Sequence, residues 1–174
     1  MLELPPLPAA AASGDVAAVR ARLAAGDAAD SSDSSGVTAL YAACQNGHGS
    51  LVALLLQSHA QADCSIGRGG ITPLLISCSN GHAACVFALL DGGASANKPD
   101  ADGFTPLYIS SGKGHSGCVE ALLAHGADTE QAEDKGVTVR LAIHTSALPR
   151  ASRTHRRHPA PPTAPYPLPP LTQC

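Results

Sequence analysis

Two pairs of histidine and cysteine are the residues in this chain most suited to binding a metal. The pairs are His82 with Cys85 and His115 with Cys118. In a helix, residues three positions apart lie on one face, and two histidines with two cysteines form a common zinc site. However, Leu51 stands three residues after the similarly placed His48, so the histidine recurs without the cysteine. Zinc also needs all four ligands about 2 Å from the ion, and neighbouring helices are about 8–10 Å apart. The sequence therefore predicts no metal site.

The cysteines could instead form disulfides, since the chain has six of them. Four recur at the interval of the repeat described below: Cys44 and Cys78, and Cys85 and Cys118. A disulfide needs Cα atoms within about 7 Å, which is less than the spacing of stacked helices. We therefore expect these four to be buried as small hydrophobic residues. Cys64 and Cys174 are expected to be exposed.

No catalytic motif is present. The chain lacks the phosphate-binding pattern G-x-x-x-x-G-K-[ST] and the nucleophile pattern G-x-S-x-G, and its sequence indicates no pair of buried acids on one element. Ser110, Ser111 and His115 are close in sequence, but all three occupy positions of the repeat. The sequence predicts no catalytic residues, no cofactor and no enzymatic activity.

The elements that position these residues belong to a repeating unit. An opening glycine recurs at Gly36, Gly70, Gly103 and Gly136, at intervals of 34, 33 and 33 residues. A threonine follows each glycine after two residues, at Thr38, Thr72, Thr105 and Thr138. A Gly-His pair recurs at residues 47–48, 81–82 and 114–115. A fixed period of this length indicates a protein built from stacked repeats.

Each unit predicts two short helices. Threonine is a favourable N-cap, and Pro73 and Pro106 follow at the first helical position, where no hydrogen bond is lost. The glycine of each Gly-His pair can end the first helix in the left-handed conformation. The second helices carry an apolar stripe at Leu51, Val52, Leu55 and Leu56, at Cys85, Val86, Leu89 and Leu90, and at Cys118, Val119, Leu122 and Leu123. Two such helices cannot bury their own apolar faces, so neighbouring units must stack.

The best copy runs Gly-Phe-Thr-Pro-Leu-Tyr-Ile-Ser-Ser-Gly-Lys-Gly-His from Gly103, and is followed by Ala-Leu-Leu-Ala-His-Gly-Ala-Asp. This resembles the ankyrin repeat, whose pattern is G-x-T-P-L-H-x-A-A-x-x-G-H and then x-L-L-x-x-G-A-D. The resemblance covers roughly residues 5–144. It implies an all-α repeat protein, an ankyrin solenoid of helix-turn-helix units joined by β-hairpin-like fingers.

The units fall at about 5–35, 36–69, 70–102, 103–135 and, partially, 136–144, followed by a tail at 145–174. The first unit is degenerate and is predicted to cap the stack. In the second, His59 replaces the turn glycine, and one extra residue within 64–69 is predicted to lie in an exposed finger. The tail holds eight of the 14 prolines and four arginines without any acid, a composition that predicts disorder.

Composition argues against several other classes of function. The net charge of −3 is close to neutral, which gives no general case for binding nucleic acid or an anionic membrane. No apolar run approaches the roughly 18 residues of a membrane helix. Residues 1–12 lack the positive start of a secretory signal and are broken by prolines. We therefore expect an intracellular monomer, cytoplasmic or nuclear.

The resemblance implies binding of a protein partner through the finger tips and the exposed side of the first helices. The corresponding residues are Val37, Gln45, Asn46, Arg68, Ile71, Ser79, Asn80, Asp102, Phe104, Lys113, Lys135 and Val137. Val37, Ile71, Phe104 and Val137 follow the opening glycines and form an apolar series. These four side chains either contact the partner or only pack finger against finger. Phe104 is the best anchor, because aromatic residues are enriched among interface hot spots.

Three other interpretations stay open. Residues 156–162, Arg-Arg-His-Pro-Ala-Pro-Pro, fit the basic-x-x-P-x-x-P pattern bound by SH3 domains, although such a pattern arises easily in a Pro/Arg-rich stretch. The array could also be a segment of a larger enzyme, such as a kinase or ubiquitin ligase. Finally, the repeat pattern fits at Val139 only with a one-residue deletion and then stops near His144. An incomplete gene product with a non-native tail would show this change.

Overall fold

The computed structural model describes residues 5–130 of the chain. Within this range the chain forms eight α-helices, arranged as four consecutive pairs. They are α1 (Leu7–Ser13), α2 (Val16–Ala24), α3 (Ala39–Gln45), α4 (Gly49–Gln57), α5 (Pro73–Asn80), α6 (Ala83–Asp91), α7 (Pro106–Gly112) and α8 (Ser116–Ala124). The all-α repeat fold predicted from the sequence is confirmed. The partial unit at 136–144 and the tail at 145–174 lie outside the described residues.

The helices form two layers that share one core. In the layer of first helices, α1 packs on α3, α3 on α5 and α5 on α7; in the other layer, α4 packs on α6 and α6 on α8. Equivalent leucines of the first helices are buried at Leu7, Leu40, Leu74 and Leu107. The second helices bury Leu51, Leu55, Leu89 and Leu122. The apolar stripes predicted for the second helices therefore face the core, as stacking requires.

The predicted helix caps are present in three repeats. The hydroxyl of Thr72 accepts a hydrogen bond from the backbone N–H of Leu75 at 3.2 Å, and Thr38 and Thr105 accept equivalent bonds at 3.2 Å. Pro73 and Pro106 are the first residues of their helices. Each hydroxyl satisfies one of the N–H groups that the first helical turn leaves without a partner.

Left-handed backbone ends the first helices at Gly47, Gly81 and Gly114, with φ of 80°, 77° and 74°. His59 also has a positive φ, 66°, and is the single non-glycine residue with one among residues 5–130. It occupies the position of the turn glycine, as predicted. A side chain in this conformation costs roughly 1–2 kcal/mol.

The fingers differ in length. The N–H of Asp33 donates to the carbonyl of Val37 at 3.0 Å, and Asp100 donates to Phe104 at 3.1 Å. In the middle finger the matching bond runs from Ile66 to Ile71 at 2.9 Å and closes a turn one residue longer. The insertion predicted within residues 64–69 therefore lies in this turn. The longer turn also has no carboxylate at its start, whereas Oδ1 of Asp100 accepts the N–H of Phe104 at 2.8 Å.

Side chains of the connecting loops join each repeat to the next. Oδ1 of Asp30 accepts the backbone N–H of Gln61 at 2.8 Å, and the carboxylate of Asp63 accepts that of Ser95 at 3.1 Å. An asparagine continues the series, since Oδ1 of Asn97 accepts the N–H of Asp128 at 2.8 Å. These bonds fix each connecting loop relative to the loop of the following repeat. Because each loop leads into a finger, the bonds also position the fingers.

Candidate protein-binding surface

A groove of about 330 Å³ lies between the fingers and the layer of first helices. It is lined by Tyr41, Ile71, Leu75, Ile76, Ser79, Asp100, Ile109 and Lys113. Helices α3, α5 and α7 each contribute residues, and the fingers contribute Ile71 and Asp100. Apolar side chains form most of the lining, with one acid and one base among them. Such a surface suits an apolar side chain of a partner flanked by polar contacts.

Two of the three isoleucines that line this groove, Ile76 and Ile109, occupy the position that the repeat pattern leaves unspecified, directly after the T-P-L-H segment. Ile76 and Ile109 are half-buried and line the groove from α5 and α7. Sequence reasoning did not include them, nor Tyr41 and Leu75. The repeat pattern itself could have pointed to Ile76 and Ile109. A position that the pattern leaves unspecified is one where a residue can serve partner binding rather than the fold.

Lys113 and Asp100 are held in place by hydrogen bonds. The Nζ atom of Lys113 donates to the carbonyl oxygen of Ser79 at 2.9 Å and to its hydroxyl at 2.7 Å. These bonds join the residue that follows α7 to α5 across the groove. Oδ1 of Asp100 accepts the N–H groups of Asp102 and Phe104 at 3.0 and 2.8 Å. Lys113 and Ser79, both predicted as partner contacts, therefore also connect neighbouring repeats.

Phe104, the predicted anchor, is half-buried. Its ring stacks on that of Tyr108, with ring centroids 4.9 Å apart and an interplanar angle of 26°. Phe104 belongs to the same finger as Asp100, and Tyr108 directly precedes Ile109 of the groove. Three of the five Phe and Tyr residues in the sequence, Tyr41, Phe104 and Tyr108, thus belong to the elements that form the groove. This concentration is notable in a chain that is only 3% aromatic.

The remaining predicted contacts vary in exposure. Gln45, Asn46, Arg68, Asn80 and Asp102 are exposed, whereas Val37 and Ile71 are half-buried. Two of the amides have structural roles as well. Nδ2 of Asn46 donates to the carbonyl of Ala42 at 2.9 Å, and Nδ2 of Asn80 donates to the carbonyl of Gln45 at 3.0 Å. Lys135 and Val137 lie outside the described residues.

The histidines of the Gly-His pairs connect adjacent repeats. Nε2 of His48 lies 3.2 Å from the carbonyl oxygen of Ala12, Nε2 of His82 lies 3.2 Å from that of Gln45, and Nε2 of His115 lies 3.4 Å from that of Ser79. A carbonyl can only accept, so in each case Nε2 carries the proton. Sequence reasoning recognised these histidines as members of the repeat but did not identify this role.

The buried cysteines have little capacity for chemistry. Cys44, Cys78, Cys85 and Cys118 are buried with free thiols, as predicted. Burial raises the pKa of the Cys85 thiol to about 11 and also raises the pKa of Cys118. Cys64 is half-buried, so the prediction that it is exposed is wrong. Among residues 5–130, no group of three or more potential ligands could hold a metal ion.

The described helices are all too short to cross a bilayer, and none qualifies as a membrane span. A sequence model of the family described as ankyrin repeats, in three copies, matches residues 50–133. The matched segment includes most of α4, all of α5 to α8, and the two fingers that border the groove. Among curated proteins no match was found.

Proposed function

Since this chain is an ankyrin repeat protein, we propose that it is a non-catalytic module that binds a partner protein through the groove and the neighbouring fingers. Ankyrin repeats are generally protein-interaction modules, which supports the general claim of binding. The groove supports the more specific claim about where binding occurs, because it combines an apolar lining with fixed polar groups at Asp100 and Lys113.

The chemistry of the groove indicates what a partner should present. Ile71, Ile76 and Ile109 offer an apolar surface that would bury one or two aliphatic or aromatic side chains. Asp100 would pair with a basic group of the partner, and Lys113 with an acidic group or a backbone carbonyl. Aromatic and aliphatic anchors surrounded by polar contacts are typical of the interface residues that contribute most to binding. A peptide segment of mixed charge with a central apolar residue is therefore the ligand that fits best.

The other residues predicted to contact a partner extend this surface on both sides. Val37, Gln45 and Asn46 are proposed to contact the partner from the second repeat, and Arg68 and Asn80 from the third. Asp102 and Phe104 continue it at the last described finger, while Lys135 and Val137 would extend it further. An intracellular location, a monomeric state and recognition of residues 156–162 by an SH3 domain stay predictions.

Ile71→Glu and Phe104→Glu test this function in the chain of 174 residues. Each introduces a charge at the groove or its bordering finger, so partner proteins captured from cell extract should be lost while the far-ultraviolet circular dichroism spectrum is unchanged. Val16→Glu is the matched control. Val16 is 37% exposed on α2, away from the groove, and a glutamate in the first turn of a helix is well tolerated.

Capture that survives both groove substitutions would show that the partner binds elsewhere. Equal loss in the Val16→Glu control would show that added negative charge, rather than the groove, is responsible. Ile109→Glu provides a further probe, because Ile109 lines the same groove from α7 and does not belong to a finger. If partner capture is lost with Ile71→Glu but not with Ile109→Glu, the partner contacts the fingers and not α7.

A further inference from the structure

Charge divides this chain into two complementary regions. Residues 5–130 contain eleven acidic and five basic residues, whereas residues 131–174 contain six basic residues and two acids, Glu133 and Asp134, which both precede the basic residues. The repeats therefore carry a net charge of −6, and the C-terminal region carries a net charge of +4. Opposite charges on two regions of one chain favour their association, with a strength that falls as salt screens them.

The C-terminal region also has a proline-rich composition that suits docking in an apolar groove. Pro159, Pro161, Pro162 and Pro165 follow closely after Arg156 and Arg157. Proline-rich segments lose little conformational entropy on binding and dock in grooves lined by aromatic residues. Tyr41 lines the groove, together with the aliphatic side chains of Ile71, Leu75, Ile76 and Ile109. Asp100 at the same groove provides a carboxylate for an arginine.

We propose that residues 156–165 of this chain bind in cis in the groove and compete there with the partner protein. The prolines contact Tyr41 and the isoleucines, and Arg156 or Arg157 pairs with Asp100. This inference rests on the proposed function, because a competing segment regulates binding only if the partner uses the same groove. The segment would lower the apparent affinity for the partner until it is displaced.

The connection between the two regions is long enough. Residues 131–155 separate the last described residue, Glu130, from Arg156, and extended chain spans about 3.3 Å per residue, or on the order of 80 Å here. Adjacent repeats are about 8–10 Å apart, and the groove includes residues of α7, in the last described repeat. Attachment to the same chain gives the segment an effective concentration of roughly millimolar, so even weak docking is substantially populated.

The test uses the chain of 174 residues with a nitroxide label at Thr163→Cys, after Cys64→Ser and Cys174→Ser. The four buried thiols are not expected to react, since burial raises their pKa values and only thiolate is nucleophilic. In the nitrogen-15 spectrum, we expect strong broadening of the amides of Ile71, Ile76 and Ile109. The amides of Ala53, Gln57 and Asp91, which line a cavity between α4 and α6, should keep their intensity.

Arg156→Glu with Arg157→Glu, in the same labelled chain, should restore the groove signals. Broadening that is absent, or equal at both sets of amides, would overturn the proposal. A mixed sample distinguishes docking within one chain from docking between two copies. It contains isotope-labelled chain without nitroxide and nitroxide-labelled chain without isotope. Broadening of the groove in that mixture to the same extent would assign the groove to a second copy of this chain and would also overturn docking in cis.

Partner binding provides the functional readout. If the segment occupies the groove in about nine of ten molecules, its removal from the groove by Arg156→Glu and Arg157→Glu should tighten partner binding about tenfold. The two proposals fail differently. Unchanged affinity in this variant, with binding still lost in Ile71→Glu, would reject docking of the segment and leave the proposed function intact.

Discussion

The ring of His82 covers Gly47 of the preceding repeat so closely that a Cβ atom on Gly47 would lie 2.8 Å from its Nδ1. Nε2 of the same ring lies 3.2 Å from the carbonyl oxygen of Gln45. The relationship recurs where His48 covers Gly14 and where His115 covers Gly81, at 2.8 and 2.7 Å. The glycine of a Gly-His pair therefore leaves room for the histidine ring of the following repeat. The histidine of the pair packs over the glycine of the preceding repeat.

Gly47→Ala should destabilise the fold more than Gly114→Ala. Both glycines end a first helix in the left-handed conformation, so each alanine should cost about 1–2 kcal/mol for the backbone alone. Only Gly47 has a histidine ring above it; around Gly114 there is no atom within 4 Å of the added Cβ among the described residues. The additional clash with His82 should make the free energy of unfolding, measured in urea, lower for Gly47→Ala. Equal losses would mean that the ring moves aside freely.

Thr72→Val should reduce stability by about 1 kcal/mol, because it removes the hydroxyl that caps α5 while keeping the shape of the side chain. Thr72 is 1% exposed, so water cannot replace the lost bond to the N–H of Leu75. Thr72→Ser keeps the oxygen and is the matched variant. We expect serine to recover most of the loss in thermal unfolding. If serine is as destabilising as valine, the methyl packing rather than the cap is the larger contribution.

Four of the cysteines should be unreactive in the folded protein. Titration of a Cys174→Ser chain with an aromatic disulfide reagent at pH 8 should modify Cys64 quickly and Cys44, Cys78, Cys85 and Cys118 only after urea is added. The reason is that burial hides these thiols and raises their pKa values, so little thiolate is present. Release of more than one equivalent of reagent in the first phase would show that the core opens readily.

His125 should titrate above the ordinary histidine value. Its Nδ1 lies 2.8 Å from the carbonyl oxygen of Ala121 and its Nε2 lies 3.1 Å from Oδ1 of Asp91. Two acceptors favour the doubly protonated ring, so the hydrogen bond to Ala121, followed by that to Asp91, raises the pKa of His125. The contribution to stability is therefore complete below about pH 6.5, the value of an unperturbed histidine, and is lost as the pH rises through the higher folded value.

Proton NMR of the His125 ring measures this shift directly. Asp91→Asn should lower the pKa while keeping a weaker acceptor in place, and His125→Gln should remove the corresponding pH dependence of the unfolding free energy. Because the ring is exposed, the change in stability should be small. A pKa for His125 equal to that in the urea-unfolded chain would contradict the two contacts.

The features that depend on short sequence separations were predicted correctly. Thr72 caps α5 through a bond to a residue three positions later, and Gly81 ends that helix in the conformation that glycine favours. His59, which the sequence places at the position of the turn glycine, likewise has the positive φ that this position requires. Local geometry fixes such relationships whatever the rest of the molecule does, so residue type and spacing are sufficient to predict them.

The candidate site was predicted less completely. Of the residues that line the groove, Ile71, Ser79 and Lys113 were among those that the repeat positions predict to contact a partner, but Ile76 and Ile109 were not. Nothing in the sequence indicated that Lys113 bonds to Ser79 or that Asn80 bonds to Gln45. Those pairs are 34 and 35 residues apart, about one repeat in each case. Which atoms meet across that interval depends on the rotation and offset of each repeat against the next.

The sequence by itself therefore determined the number of helices in each repeat, their ends and the side of each that is buried, because these follow from periodicity and local hydrogen bonding. Only the tertiary structure shows that the ring of His82 covers Gly47. It also shows that one groove is lined by residues from three different repeats, Tyr41, Ile71 and Ile109. Stacking sets those distances, since the repeats settle where their buried side chains pack most closely.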